Sequence, residues 1–292
     1  MGRASARVDA AMLEARAAVL AKRSLKAAAK RAGIDLVISC LDLTTLEGRD
    51  TPGQVRAVCA RAIAPASGAP SVAAVCIYPA YAAHARAALA GSSVKVASVS
   101  GAFPSGHSPL EVKVAETRAA VAAGAQEVDV VLDRGALLAG DIARARAEIV
   151  ALREAAGPAT LKVILETGEL GSYSLIRRAC DVALEAGADF LKTSTGKIGV
   201  AATPAVALLI CEALREHFRK DGRAVGLKVA GGIRTTRAAF AYLAIVKETL
   251  GDAWLHSTRF RLGASALLDD LLLQRDKEAS GAYAGSAYVA TV

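Results

Sequence analysis

The chain has 292 residues, is 53% hydrophobic with only 4% aromatic, and carries a formal net charge of +8. That apolar content excludes an intrinsically disordered chain, and no stretch reaches the ~20 uninterrupted apolar residues that a membrane-spanning helix needs. The charge is concentrated: residues 1–31 hold eight Lys/Arg against Asp9 and Glu14, so a basic nucleic-acid-binding surface across the main body is not expected.

Residues 1–31 read as a basic helical extension, 32–275 as the main body, and 276–292 as a flexible tail of small and polar residues. Within the main body, short β-rich runs end near Asp42, Ile77, Val99, Val131, Glu166, Thr193, Val229 and Gly263. Alanine-rich stretches with helical period alternate with them, at 52–66, 80–90, 109–123, 140–156, 172–187, 203–219, 235–250 and 265–275. Thr51-Pro52, Ser108-Pro109 and Thr203-Pro204 each place proline at the first helical position after a capping hydroxyl. Ala123-Gly124-Ala125 and Ala186-Gly187-Ala188 close helices on glycine. Eight strand–helix alternations predict an α/β fold, a (β/α)8 TIM barrel with the N-terminal helix packed on its exterior or bottom. An open doubly wound sheet would want a glycine-rich turn after the first strand; Asp42-Leu-Thr-Thr-Leu46 stands there instead.

Side chains alternate along a strand, so each run offers one face to the barrel centre. Asp42 shares a face with Cys40 and Thr44, Glu127 with Asp129, and Lys162 with Ile164 and Glu166. Lys192 and Lys228 occupy inward positions on the adjacent sixth and seventh runs. Two neighbouring ammonium groups repel, which serves stability poorly. It does favour the neutral form of one of them, and a neutral amine is a nucleophile toward carbonyls.

The loops after the last three strands carry Thr195-Gly196-Lys197, Gly231-Gly232-Ile-Arg234 and Gly263-Ala264-Ser265. Glycines and helix N-termini there predict a phosphate cradle. Cys40, Cys59, Cys76, Cys180 and Cys211 form no C-x-x-C pair, so reduced thiols and a cytoplasmic location are expected. His84, His107, His217 and His256 are isolated, and neither a metal nor a cofactor is expected. The residues alone leave open an imine-forming aldolase or a phosphosugar isomerase or synthase that uses the cradle without an imine.

Six stretches together resemble the deoxyribose-phosphate aldolase family, in order from about residue 40 to 270. They are Asp42-Leu-Thr-Thr-Leu46, Val75-Cys-Ile-Tyr-Pro79, Glu127-Val-Asp-Val-Val131, Lys162-Val-Ile-Leu-Glu-Thr-Gly-Glu-Leu170, Phe190-Leu-Lys-Thr-Ser-Thr-Gly-Lys197 and Gly226-Leu-Lys-Val-Ala-Gly-Gly-Ile-Arg234. The resemblance implies a metal-free class I aldolase that reversibly cleaves 2-deoxy-D-ribose 5-phosphate to acetaldehyde and D-glyceraldehyde 3-phosphate. It implies Lys192 as the Schiff-base lysine, Lys228 as the neighbour that favours its neutral form, and Asp129 as a proton-transfer group acting through water. Asp42 would position substrate hydroxyls, and Gly196, Lys197, Gly231, Gly232, Gly263 and Ser265 would surround the phosphate. Thr44, Cys76, Lys162 and Thr195 complete the expected substrate-binding set. Partners are expected to be phosphosugars and aldehydes, with no nucleic acid and no membrane; a homodimer is a candidate assembly. Some family members reach the site with a C-terminal tyrosine, for which Tyr283 and Tyr288 both qualify. The chain has Val229 where the family often has proline, and Ala266 where it often has a second serine.

Overall fold

In the computed structural model, the described residues are 8–23 and 28–281. Two helices, α1 (Ala10–Ala21) and α2 (Ala28–Ser39), precede the first strand, β1 (Leu41–Thr44). There follow α3 (Pro52–Ile63), β2 (Ala74–Ile77), α4 (Ala82–Ala88), β3 (Lys95–Ser100), α5 (Leu110–Ala122) and β4 (Glu127–Val131). A short α6 (Arg134–Leu138) and α7 (Ile142–Ala156) lead to β5 (Thr160–Ile164), α8 (Tyr173–Glu185) and β6 (Phe190–Lys192). The described residues finish with α9 (Pro204–Asp221), β7 (Gly226–Ala230), α10 (Thr236–Leu250), β8 (Phe260–Ala264) and α11 (Leu267–Ser280). The eight strands form one closed parallel barrel in sequence order, with β1 paired to β8. This is the expected (β/α)8 barrel. No helix among the described residues is long and apolar enough to cross a membrane.

Local chemistry sets most boundaries. Thr51, Thr203 and Thr235 accept hydrogen bonds from the backbone N–H three residues on, starting α3, α9 and α10. Ser108 makes no such cap: α5 starts at Leu110 with Pro109 in the capping position and no side-chain bond. After α5, the N–H groups of Gly124 and Ala125 return to the carbonyls of Val121 and Ala120; Gly187 and Ala188 repeat this after α8. These paired bonds close each helix on a left-handed residue, which glycine adopts at little cost.

Three boundaries differ from expectation. The extension is two helices, and the expected 31/32 division falls inside α2, whose Ile34, Val37 and Ile38 are fully buried. α1 packs on α9 and α10, outside the barrel, through Leu13, Ala17 and Leu20. The expected tail beginning at 276 also falls inside a helix. α11 runs to Ser280, because Leu267, Leu268, Leu271, Leu272 and Arg275 give it a continuous buried face. Third, β5 ends at Ile164 rather than Glu166, because Glu166 takes a left-handed backbone with φ of 51° and leaves the strand.

The main apolar core lies between strands and helices. A second, smaller cluster lies within the barrel: Leu46, Ala74, Cys76, Ala97 and Val99, with Tyr78 and Phe103 against them. The opposite side of the interior is ionic. There Gly226 admits the Phe190 ring; a Cβ on that glycine would sit 2.4 Å from the ring.

Candidate active site

Register brings the charged residues to neighbouring levels. Asp129 lies beside Lys162, Lys192 beside Lys228, and Lys228 beside Arg261. Partners across a parallel pair face the same side, so all point to the barrel axis. Asp129 is the hub. Its Oδ1 accepts from Lys162 Nζ at 2.9 Å. Its Oδ2 accepts from both Lys192 Nζ and Lys228 Nζ, each at 2.7 Å. The two lysine nitrogens therefore lie within twice that distance of each other.

Outer contacts extend the cluster. Lys228 Nζ is also 2.5 Å from Asp42 Oδ2, and Lys162 Nζ is 2.6 Å from Glu127 Oε2. Arg261 closes it from β8, reaching Asp42 Oδ1 at 2.6 Å and Glu127 Oε1 at 2.7 Å. Every member is buried. Burial alone would raise the pKa of Asp42; Lys228, Arg261 and Lys162 outweigh it and hold this carboxyl well below the usual range. Asp129 is treated alike by burial against Lys162, Lys192 and Lys228, and ends well below the ordinary carboxylate range. For Lys228, burial favours the neutral amine, but Asp129 and Asp42 dominate and keep it charged well above the usual lysine range. Lys162 is held charged in the same way by Asp129, Glu127 and Asp42.

Above the cluster opens a cavity of about 470 Å³. Lys192 lines it, and Lys162 and Lys228 do not. Its walls bring together Thr44, Thr195, Gly196, Lys197, Gly231, Gly232, Gly263 and Ser265 from the expected set. The remaining expected residues, Asp42, Cys76, Lys162, Asp129 and Lys228, are fully buried beneath it. Cys76 touches the cluster only loosely, its Sγ 3.9 Å from Asp129 Oδ2, and burial pushes its thiol pKa up.

The loops around the cavity brace one another. Gly231 has φ of +90°, and a Cβ there would meet the Ala201 methyl at 2.4 Å and Ser194 Oγ at 2.9 Å. Only glycine lets the β7 and β6 loops close to that distance. Glu166, displaced from its expected inward row, accepts from Thr195 N at 3.0 Å and Thr195 Oγ1 at 2.5 Å. It thereby fixes the turn that presents Gly196 and Lys197. At the mouth, Lys197 Nζ pairs with Glu47 Oε1 at 2.8 Å.

Several participants escaped the sequence expectations. Gln54 and Arg61 of α3 line the cavity, with Arg61 paired to Asp269 of α11. Arg261 is the largest omission; the inward parity it shares with Gly263 on β8 was the available signal. Tyr283 and Tyr288 lie outside the described residues.

Comparison with known proteins supplies relatives. The model of the family described as DeoC/LacD family aldolase matches residues 36–271. A mouse protein named deoxyribose-phosphate aldolase is 43% identical over 288 residues, 94% of this chain and 91% of the mouse protein. A human protein of the same name is 41% identical over 279 residues, covering 91% of this chain and 88% of its own length. Among solved structures, a tetrameric deoxyribose phosphate aldolase from Aeropyrum pernix superposes with a TM-score of 0.67 at 26% identity, covering 86% of this chain and 93% of that one.

Proposed function

The chain belongs to the DeoC/LacD family of aldolases, and on that premise we propose that it cleaves 2-deoxy-D-ribose 5-phosphate reversibly to D-glyceraldehyde 3-phosphate and acetaldehyde through a Schiff base, with Lys192 as the amine that bonds to the sugar. One observation carries this assignment. Of the three lysines around Asp129, Lys192 alone opens on the cavity and has a single carboxylate contact. Lys162 and Lys228 are each held by two or more carboxylates and sealed from substrate.

The reaction then proceeds from the geometry. Lys192 Nζ, neutral, adds to the C1 aldehyde of the open-chain sugar, and loss of water gives an iminium. The iminium withdraws electrons, so the C2–C3 bond breaks as the C3 hydroxyl gives up its proton. D-Glyceraldehyde 3-phosphate leaves, and the remaining enamine is protonated at carbon and hydrolysed to acetaldehyde. Lys228 stays charged throughout and works against a second ammonium beside it. Asp129 Oδ2, shared by both amines, relays protons between Lys192 and a water in the cavity; positioned acid–base groups of this kind typically contribute about 10²–10⁴-fold.

The phosphate end is held by the loops after β6, β7 and β8. Gly196, Lys197, Gly231, Gly232, Gly263 and Ser265 offer backbone N–H groups, a hydroxyl and one ammonium to the dianion. Binding there, away from the breaking bond, fixes the aldehyde against Lys192. Asp42, Cys76 and Lys162 act beneath the floor, through Lys228 and Asp129. The reading includes the cytoplasm as compartment, which the five free buried thiols suit, and a homodimer as assembly, which light scattering would test.

The direct test is acetaldehyde release from deoxyribose 5-phosphate by the pure protein in EDTA. Release that persists with the chelator and vanishes in Lys192→Ala is expected. Release that stops with the chelator, or survives the substitution, contradicts the assignment.

A further inference from the structure

The ion cluster does not balance. Its carboxylates are Asp42, Glu127 and Asp129; its cations are Lys162, Lys192, Lys228 and Arg261. Four positive groups against three negative ones is an expensive buried arrangement unless one cation gives up its charge. Each carboxylate already meets at least two cations, and Lys192 is the cation with the fewest contacts. With Lys192 neutral, the remaining three cations match the three carboxylates.

We propose that Arg261 is a positioning residue for catalysis: by occupying Asp42 and Glu127 at the base of the barrel, it leaves no surplus negative charge to stabilise a protonated Lys192. The inference rests on the assignment of Lys192 as the reacting amine. Two arms carry the effect upward. Along one, Arg261 holds Asp42, Asp42 holds Lys228, and Lys228 shares Asp129 Oδ2 with Lys192. Along the other, Arg261 holds Glu127, Glu127 holds Lys162, and Lys162 takes Asp129 Oδ1.

The geometry of Arg261 is fixed from all sides. Its guanidinium carbon lies 5.7 Å from the centre of the Phe190 ring, and its Nε donates to the carbonyl of Ser257. A planar fork spanning two carboxylates is a task that suits arginine. The other titratable groups facing the cluster are thiols. Cys40 on the residue preceding β1 is pushed up to about 12, chiefly by burial, and Cys76 on β2 is also raised, so both stay uncharged. β3 contributes Ala97 and Val99 at the level of the cluster, with Lys95 exposed at the start of the strand, and the buried Glu166 is held by Thr195 N and Oγ1 outside the ion pairs of the cluster.

The test is the acid limb of kcat/KM against pH for deoxyribose 5-phosphate cleavage, which reports ionisations of free enzyme and free substrate. The substrate's own ionisation is common to all variants. Arg261→Met removes a cation and moves the limb to higher pH, by about one unit. Glu127→Gln removes an anion and moves it to lower pH by a similar amount. The double variant restores the wild-type limb, and Arg261→Lys leaves it near wild type. A merely structural role would lower activity in both single variants without opposite displacements. If Arg261→Met does not fold, Glu127→Gln decides alone: a limb that fails to move to lower pH overturns the inference. Borohydride trapping on each folded variant separates the two layers. An adduct on Lys192 with unmoved limbs rejects only the role of Arg261, whereas an adduct on another lysine rejects the amine assignment and this inference with it.

Discussion

The barrel interior has two sides that solve the same packing problem differently. Around β2 and β3 it is filled by Ala74, Cys76, Ala97 and Val99, small apolar side chains that need no partners. Around β4 to β8 it is filled by Asp129, Lys162, Lys192, Lys228 and Arg261, each of which must be paired to be buried at all. Replacing such a network by apolar residues is often neutral or stabilising. The ionic side is therefore explained by chemistry rather than stability, and the apolar side supplies the dry wall that keeps its fields strong.

The sharpest contrast comes from Lys192→Ala. Turnover falls by about 10⁴-fold or more, the scale seen when a nucleophile is removed. Thermal stability, followed by calorimetry, does not fall with it, because Lys162, Lys228 and Arg261 still match the three carboxylates without Lys192, which makes a single carboxylate contact. A large loss of melting temperature alongside lost activity would mean that both sides of the barrel are structural.

Asp129→Asn is expected to damage both properties. It strips Lys192 of its carboxylate contact and leaves Lys162 and Lys228 to Asp42 and Glu127. Breaking a buried pair on one side costs about 3–5 kcal/mol. The pH dependence changes too. Asp42 and Asp129 are held below the ordinary carboxylate range, so their stabilisation is full above about pH 4. It is lost as pH falls toward their lower folded-state values. Lys228 is held high, so its contribution is full below about pH 10 and is lost as pH rises past its raised value. Urea titrations across pH should show a flatter acid slope in Asp129→Asn than in wild type.

Removing residues 1–23 exposes the surfaces that Leu13, Ala17 and Leu20 cover on α9 and α10, at a cost of about 3 kcal/mol. The value of kcat should hold, since α1 contributes no residue to the cavity. Smallest of all, Val99→Ala on the apolar side costs about 1–2 kcal/mol by leaving a void. It leaves the pH–rate profile where it was; a displaced limb would show that the apolar wall also tunes the amine.

What the sequence disclosed follows from the same contrast. Asp129, Lys192 and Lys228 were legible because a charged residue inside a short apolar run is conspicuous, and period-two alternation says which way it points. Arg261 was not, because Arg259 and Arg261 share one parity and only the depth of the strand in the barrel separates the paired residue from the one at the rim. Glu166 was assigned inward because nothing in its residue type announces a left-handed backbone. The helix order and the glycine closures are plain in the sequence, whereas the division at 31 follows a change of composition that α2 runs through without a break. Polar residues 276–280 belong to a helix for the converse reason: the buried leucines before them carry it onward.

The central claim is a covalent one, and borohydride reduction in the presence of deoxyribose 5-phosphate or acetaldehyde, followed by peptide mass spectrometry, tests it most directly. A single reduced adduct on Lys192, absent without substrate and absent in Lys192→Ala, is the result predicted here. An adduct on Lys228 or Lys162, or none at all under conditions of full turnover, would contradict it.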